Sequence, residues 1–214
     1  MIRGLTAVLL AAVISSPVAA AQVKFSYSKL YTQLKHNYGE NHPDVKIGYF
    51  MISPSNGDTC KITKAWMTKK AHYEEFEIPA SQELPLPIDS HLRKVNPDVF
   101  IETAGTQACD ISFQVMAKKS FGSEVTEEQV NNLVPQMTTM MKDLGGMFSS
   151  WFMPEVEGVT VHFANVQPEL KTSEGRAINV EGKVAIIRLN EMKTGERVFF
   201  PQKPLKVTPW IPQH

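Results

Sequence analysis

The longest helical pattern in the chain lies between residues 126 and 152. Thr126, followed three residues later by Gln129, predicts a capping box at its start. Pro135 removes a backbone hydrogen bond, so we expect a kink there or a helix that restarts at that residue. The apolar residues recur at intervals of three and four, which places them on one helical face. They are Val130, Leu133, Val134, Met137, Met140, Met141, Leu144, Phe148 and Trp151.

Before this helix, the apolar and polar residues alternate in four segments, as in half-buried strands. The segments 44–53 and 59–67 flank a turn that contains Asn56-Gly57, and the segments 99–103 and 109–117 flank a second turn at 104–107. Asn-Gly is a strong signal for a tight turn between paired strands. We therefore expect two β-hairpins in this part of the chain.

The remaining segments are shorter. A short helix is predicted to start at Ser28 and to end at Gly39. After the long helix, residues 178–180 and 183–189 flank a Glu181-Gly182 turn, residues 196–200 pair back onto the preceding strand, and 205–210 form a last edge strand. Strands, one long helix and further strands predict an α+β fold, with antiparallel hairpins or sheets packed on that helix.

The first residues have the three parts of a secretory signal. Arg3 supplies the positive charge, residues 5–14 are apolar, and Ala19-Ala20-Ala21 is a cleavage site of A-x-A type. We expect cleavage near Ala21, an exported protein that is periplasmic if the host has two membranes, and no transmembrane span in the mature chain. Residues 22–214 then form one α+β domain or two β-rich halves, 22–120 and 155–214, joined by the helix 126–152.

The charge balance disfavours one class of partner. The chain has 22 basic and 22 acidic residues, and the signs alternate without a long block of one charge. A protein that neutralises many phosphates should be basic, so we do not expect a nucleic acid partner.

The chain contains two cysteines, Cys60 and Cys109, each just after a predicted turn. In an oxidising compartment, two such residues favour a structural disulfide. The alternative is a redox pair, but such pairs are usually C-x-x-C at a helix N-terminus, which this sequence lacks.

Three long blocks carry a family resemblance. They are FSYSKLYTQLKHN, KAWMTKKAHYEEFEIPASQELPLP and DLGGMFSSWFMPEVEGVTVHFAN. With them, the chain resembles an exported family of uncharacterised bacterial proteins, a domain of unknown function in marine gammaproteobacteria. The resemblance covers essentially the mature chain and implies export, but no activity and no catalytic residue.

Aromatic residues near the end of the long helix give the leading functional hypothesis. Phe148, Trp151, Phe152 and Met153 could form a contact surface for an envelope protein or a hydrophobic ligand, or they could be core residues. The Pro-rich loop Pro79–Pro87 is the other candidate surface. Both favour a non-enzymatic binding or envelope-interaction protein.

An enzyme is the competing class. The sequence has no G-x-S-x-G, H-E-x-x-H, Walker or G-x-G-x-x-G motif, so no reaction is indicated. His72 and Glu74 would share one face of a strand, where they could form an acid–base pair of a hydrolase. Solvated charges on an edge strand explain the same two residues.

Methionines suggest a third function. Met137, Met140 and Met141 could present thioethers, which are soft ligands suited to copper(I), on one side of the helix. The same spacing is typical of a helix face that packs in a core, where Met fills irregular gaps. No cofactor is otherwise indicated.

Overall fold

The computed structural model describes residues 21–146 and 155–212, and the elements named below are those of these residues. The predicted signal peptide and the candidate surface Phe148, Trp151, Phe152 and Met153 lie outside the described residues, apart from Ala21. The α-helices are α1 (Tyr27–Leu34), α2 (Ser90–Val95) and α3 (Glu127–Gly145). The strands are β1 (Ala21–Ser26), β2 (Val45–Ile52), β3 (Ile62–Lys69), β4 (His72–Glu75), β5 (Asp98–Thr103), β6 (Asp110–Ala117), β7 (Glu124–Thr126), β8 (Gly158–His162), β9 (Leu170–Lys171), β10 (Ala177–Glu181), β11 (Val184–Arg188), β12 (Arg197–Phe199) and β13 (Lys206–Trp210).

The strands form antiparallel sheets. A four-stranded sheet has the order β1-β5-β3-β4, and a five-stranded sheet has the order β13-β8-β11-β10-β9. β2 pairs with β6, and β7 pairs with β12. The fold is therefore broadly α+β, as predicted, with more strand than helix.

Both hairpins predicted before the long helix are wrong. β2 pairs with β6 and β3 pairs with β5, so the two strands that flank each turn belong to different sheets. The turn at 53–58 does close locally, because the Ser53 N–H donates to the Asp58 carbonyl at 2.8 Å. Most of β2 is buried, whereas β3 alternates between buried and exposed residues, and long-range packing of these different surfaces decides the pairing.

The predicted partner of residues 196–200 is also wrong. β12 pairs with β7, which directly precedes α3, and not with β11. The hairpin across Glu181-Gly182 is confirmed, since β10 pairs with β11 there. β13 lies at the edge of the five-stranded sheet, as its sequence predicted.

A disulfide joins the two places where the chain crosses between sheets. Cys60 follows β2 and Cys109 precedes β6, and the structure contains the predicted Cys60–Cys109 bond. It closes a loop with a sequence separation of 49 residues. In the chain-entropy model, such a loop stabilises the fold by roughly 4 kcal/mol.

The long helix α3 begins as its sequence predicts. The Thr126 hydroxyl accepts from the Gln129 N–H at 3.2 Å, and the Gln129 side chain accepts from the Thr126 N–H at 2.9 Å, which is the capping box. The helix continues through Pro135 and does not restart there. The start of the first helix differs from the prediction, because Ser26 and not Ser28 precedes its first turn.

Two clusters of buried residues form the core. One packs α3 against the five-stranded sheet and includes Ile47 of β2. The other packs α1 against the four-stranded sheet and includes Tyr49 and Met51 of the same strand. β2 therefore contributes side chains to both clusters. No helix among the described residues is both long and apolar enough to cross a bilayer.

Candidate functional site

The last strand, β13, carries a charged residue, Lys206, on the face that contacts the N-terminal part of the chain. In the antiparallel pair of β13 and β8, Lys206 lies directly opposite His162. Val207 and Val161, the next pair along, belong to the core. Because side chains alternate along a strand, Lys206 and His162 project from the opposite face of the sheet.

Lys206 is a buried cation, with only 6% of its surface exposed. Its ammonium group donates to Gln114 Oε1 at 2.8 Å and lies 3.9 Å from the centre of the Phe50 ring. Among the described residues, no carboxylate forms an ion pair with it. Burial lowers the pKa of Lys206 to about 8, and Glu83 opposes this shift only in part.

Glu83 is engaged by another lysine. Lys46 Nζ donates to both Glu83 carboxylate oxygens, at 2.7 and 2.9 Å. Gly48 allows this approach, because a Cβ atom there would lie 3.0 Å from Glu83 Oε1. Lys46 and Lys206 thus contribute two positive charges against one carboxylate, which leaves one positive charge at this point.

We call the space beside Lys206 the junction cavity. Its volume is about 590 Å³, and Lys206, His162 and Gln114 line it. Its other walls come from residues 57–59, 80–82, 163–164, 183–184 and 205. Asp58 and Lys183 in these walls have opposite charges, so the cavity keeps the net positive charge of Lys206.

His162 is a neutral neighbour of this cation. Burial, together with the positive charge of Lys206, lowers the pKa of His162 to about 4. Its Nε2 atom lies 2.9 Å from the Thr208 hydroxyl, within hydrogen-bond distance. Near neutral pH, His162 therefore adds a polar group to the cavity but no charge.

An apolar groove shares two of its lining residues with the junction cavity. The groove has a volume of about 520 Å³ and shares Gln114 and His162 with the cavity. The other residues that line it are Phe113, Val115, Met141, Leu144, Gly145, Thr208, Pro209 and Ile211. Lys206 lines the cavity and apolar side chains line the neighbouring groove, so a molecule with an anionic head and an apolar tail would match the two spaces together.

The structure places His72 and Glu74, the predicted acid–base pair, on β4, where both are exposed. They line a separate cavity of about 640 Å³ together with a second histidine, His91 of α2. Neither histidine ring has a hydrogen-bond partner among the described residues that would orient it. The described residues also contain no group of three His, Cys, Asp or Glu side chains that could hold a metal ion.

The three candidate copper ligands lie in or against the core. Met137 and Met140 are fully buried among apolar side chains, and Met141 packs against the same cluster. This arrangement supports the core interpretation of the methionine spacing. Copper binding by these residues stays a prediction without structural support.

The Pro-rich loop Pro79–Pro87 turns its apolar residues inward. Leu84 and Leu86 are buried, and the Leu84 N–H donates to the Tyr49 carbonyl of β2 at 2.8 Å. Ser81 and Gln82 of this loop form part of the junction cavity wall. The loop is therefore a wall of the cavity, and its use as an external contact surface stays a prediction.

The fold and the site define an α+β protein with a cationic cavity between its N-terminal and C-terminal strands. Residues 19–163 match a family model described as "Protein of unknown function (DUF2987)". The match covers more than half of the chain, and the protein belongs to that family. Comparisons with curated proteins and with solved structures each gave no match.

The matched range confirms the domain of unknown function that the three sequence blocks predicted, whereas a bacterial, marine or exported origin stays a prediction. Gln114 and His162 of the junction cavity lie within this range, and Lys206 lies beyond it. Sequence reasoning missed all three residues. The only signal was a lysine in a mostly apolar edge strand, and lysine is also the usual protection of such an edge.

Proposed function

We propose that the protein is a non-enzymatic binding protein of the periplasm, and that it binds a small organic carboxylate with an apolar tail. The observation that carries this proposal is the buried ammonium of Lys206, which has no carboxylate partner among the described residues. A buried charge is costly unless it is paired, so an anionic ligand would supply the missing partner. The basic, apolar and A-x-A pattern of residues 1–21 supports export.

The geometry of the junction cavity and of the apolar groove supports a carboxylate with an apolar tail as the ligand. One ammonium N–H is occupied by Gln114, and an ammonium group has three donors, so two remain for a carboxylate. The apolar groove, which shares Gln114 and His162 with the cavity, would hold the apolar tail. This agrees with the hydrophobic ligand expected from the sequence and adds a charged head to it.

Binding of octanoate by the mature chain, measured by isothermal titration calorimetry, tests this proposal. We expect octanoate to bind, octan-1-ol to bind much more weakly because it lacks the charge, and acetate to bind weakly because it lacks the tail. Lys206→Met should weaken octanoate binding at least about thirtyfold, because truncation of a buried charge partner costs 2 kcal/mol or more.

Lys203→Met is the matched control. Lys203 is exposed and lies three residues before Lys206, so its loss should leave octanoate affinity unchanged. Circular dichroism would establish that both variants are folded. If octanoate fails to bind, or if Lys206→Met binds it as tightly as the unaltered protein, the proposal is wrong.

A hydrolase-type enzyme is the second candidate. It is favoured by one observation, that His72, Glu74 and His91 line the same cavity. Exposure of all three side chains, without a hydrogen bond that orients either ring among the described residues, makes this the weaker hypothesis.

A further inference from the structure

Two basic segments that are distant in sequence lie together at one end of the four-stranded sheet. One is Lys69–His72, which contains the tight turn between β3 and β4, and the other is His91–Lys94 in α2. Lys69 Nζ donates to the Asn96 carbonyl at 3.0 Å, and this bond ties the turn to the C-terminal end of α2. The sequence alone gives no indication that these segments meet.

The space between the segments is the cavity of about 640 Å³ that His72, Glu74 and His91 line, and we call it the basic groove. Its lining is partly apolar and partly basic. The apolar residues are Met67, Leu92, Val95 and Pro97, and the basic or titratable ones are Lys69, Lys70, His72 and His91. Glu74 is the one carboxylate among the lining residues.

Apart from Glu74, three acidic residues near the basic groove are engaged by neighbouring groups. Asp89 accepts from the backbone N–H groups of His91 and Leu92 as the N-cap of α2. Asp98 pairs with Lys24 at 2.9 Å, and Glu75 accepts from the Tyr73 hydroxyl at 2.7 Å.

The net charge here is therefore positive in a chain whose overall charge is zero. The lysines and arginine of the two segments are Lys69, Lys70, Arg93 and Lys94. Lys69 and Lys70 line the groove, Lys94 is exposed on α2, and Arg93 lies over the Tyr31 ring. Against Glu74 and Asp89, these four cations leave two positive charges before either histidine is protonated.

Exposed apolar side chains flank these charges. Tyr73 is 55% exposed and Val95 is 38% exposed. Aromatic side chains with one polar end are typical of the headgroup region of a bilayer, where lysines extend their charge towards phosphate. A rim of lysines, which carry mobile point charges, fits the fluid array of headgroups on a membrane surface.

We propose that the basic groove docks this protein on the surface of an anionic lipid bilayer. The headgroup phosphates contact Lys69, Lys70 and Lys94, and Tyr73 and Val95 lie against the interfacial region. This contact is independent of the junction cavity, which lies on other strands.

Co-sedimentation of the mature chain with lipid vesicles tests this proposal. We expect binding to an equimolar mixture of phosphatidylglycerol and phosphatidylcholine, release by high salt, and no binding to phosphatidylcholine alone. The variant Lys70→Asp/Lys94→Asp should lower partitioning to anionic vesicles at least about tenfold. Both side chains are exposed, and Asp tolerates the positive φ of Lys70 (54°), so this variant should fold.

The matched control is Lys171→Asp/Lys203→Asp, which changes the net charge equally at exposed positions in the C-terminal half. It should retain vesicle binding, and equal loss in both variants would show that only net charge matters and would overturn the proposal. Absence of binding to anionic vesicles would also overturn it.

Two further binding experiments distinguish a lipid surface from a free anion and from an acidic protein as the occupant of the basic groove. Loss of vesicle binding in inorganic phosphate, but not in chloride of equal ionic strength, would assign the groove to a free anion and contradict docking. Retention on immobilised polyglutamate without vesicle binding would assign it to an acidic protein and also contradict docking. Octanoate binding should be unchanged in Lys70→Asp/Lys94→Asp, so failure of this proposal is distinguishable from failure at the junction cavity.

Discussion

Lys64 and Lys206 both lie over aromatic rings but have opposite pKa shifts. Lys64 Nζ lies 5.2 Å from the Trp66 ring centre on the solvent-facing side of the four-stranded sheet, and 3.4 Å from a Glu75 carboxylate oxygen. Hydrogen bonding with Tyr73 and the charge of Glu75 raise its pKa. Lys206 lies closer to its ring, 3.9 Å from the centre of Phe50, yet burial lowers its pKa to about 8.

This comparison shows that contact with an aromatic ring does not decide the direction in which a lysine pKa shifts. Both ammonium groups face an aromatic ring, but only Lys64 is exposed to solvent and paired with a carboxylate. A cation–π contact contributes about 0.5–2 kcal/mol, which does not offset the desolvation of a buried ammonium. The desolvation free energy of the Lys206 ammonium therefore stays partly uncompensated, and a carboxylate ligand would offset it.

The largest expected effect is on stability at alkaline pH. Below pH 8 both the folded and the unfolded states bind the Lys206 proton, so the folded state bears the full cost of the buried charge. Between about 8 and the ordinary lysine value of 10.5, the folded state releases this proton first. The free energy of unfolding should rise by roughly 2–3 kcal/mol from about pH 7 to about pH 10, relative to Lys206→Met, in urea titrations.

Lys64→Met is the control for this experiment. The pKa of Lys64 is raised, so the difference between that variant and the unaltered protein should not change over the same pH range. The raised pKa of Tyr49 acts in every variant and cancels in the differences. A stability difference between the unaltered protein and Lys206→Met that does not change with pH would show that Lys206 is not a desolvated cation.

A smaller effect is expected at acidic pH from His162. Its pKa is lowered to about 4 from 6.5, so the unfolded state takes up the proton first as the pH falls. The free energy of unfolding should decrease by about 2 kcal/mol from about pH 7 to about pH 5, relative to His162→Gln. Lys206→Met should reduce this loss, because the nearby positive charge contributes to the shift. Parallel pH profiles for the unaltered protein and His162→Gln would contradict the burial of this imidazole.

Local chemistry made some features of the fold predictable. The capping box of Thr126 and Gln129 needs residues only three positions apart, and it forms as predicted. The turn at Glu181-Gly182 is local in the same way. The pairing of β2 with β6 is not local, because it depends on which buried faces fit together between residues 58 to 72 positions apart, and alternation alone cannot show this.

The candidate site was hidden for the same reason. Phe50, Gln114, His162 and Lys206 are far apart in sequence, and each has an ordinary explanation in its own strand. His72 and Glu74 are close in sequence, and the sequence predicted them as a pair. The histidine that lines the same cavity, His91, comes from a helix that the pattern did not predict. Six residues of α2 are too few to establish a helical period.

The most direct test of a carboxylate site is the pKa of Lys206 itself, measured by NMR of its Cε atom with and without octanoate. In the free protein we expect the resonance to titrate near 8, and octanoate should raise this pKa because a bound carboxylate stabilises the ammonium form. Lys203, which is exposed, should not respond to octanoate. Titration of Lys206 near the ordinary lysine value of 10.5, with no change on addition of octanoate, would contradict the account.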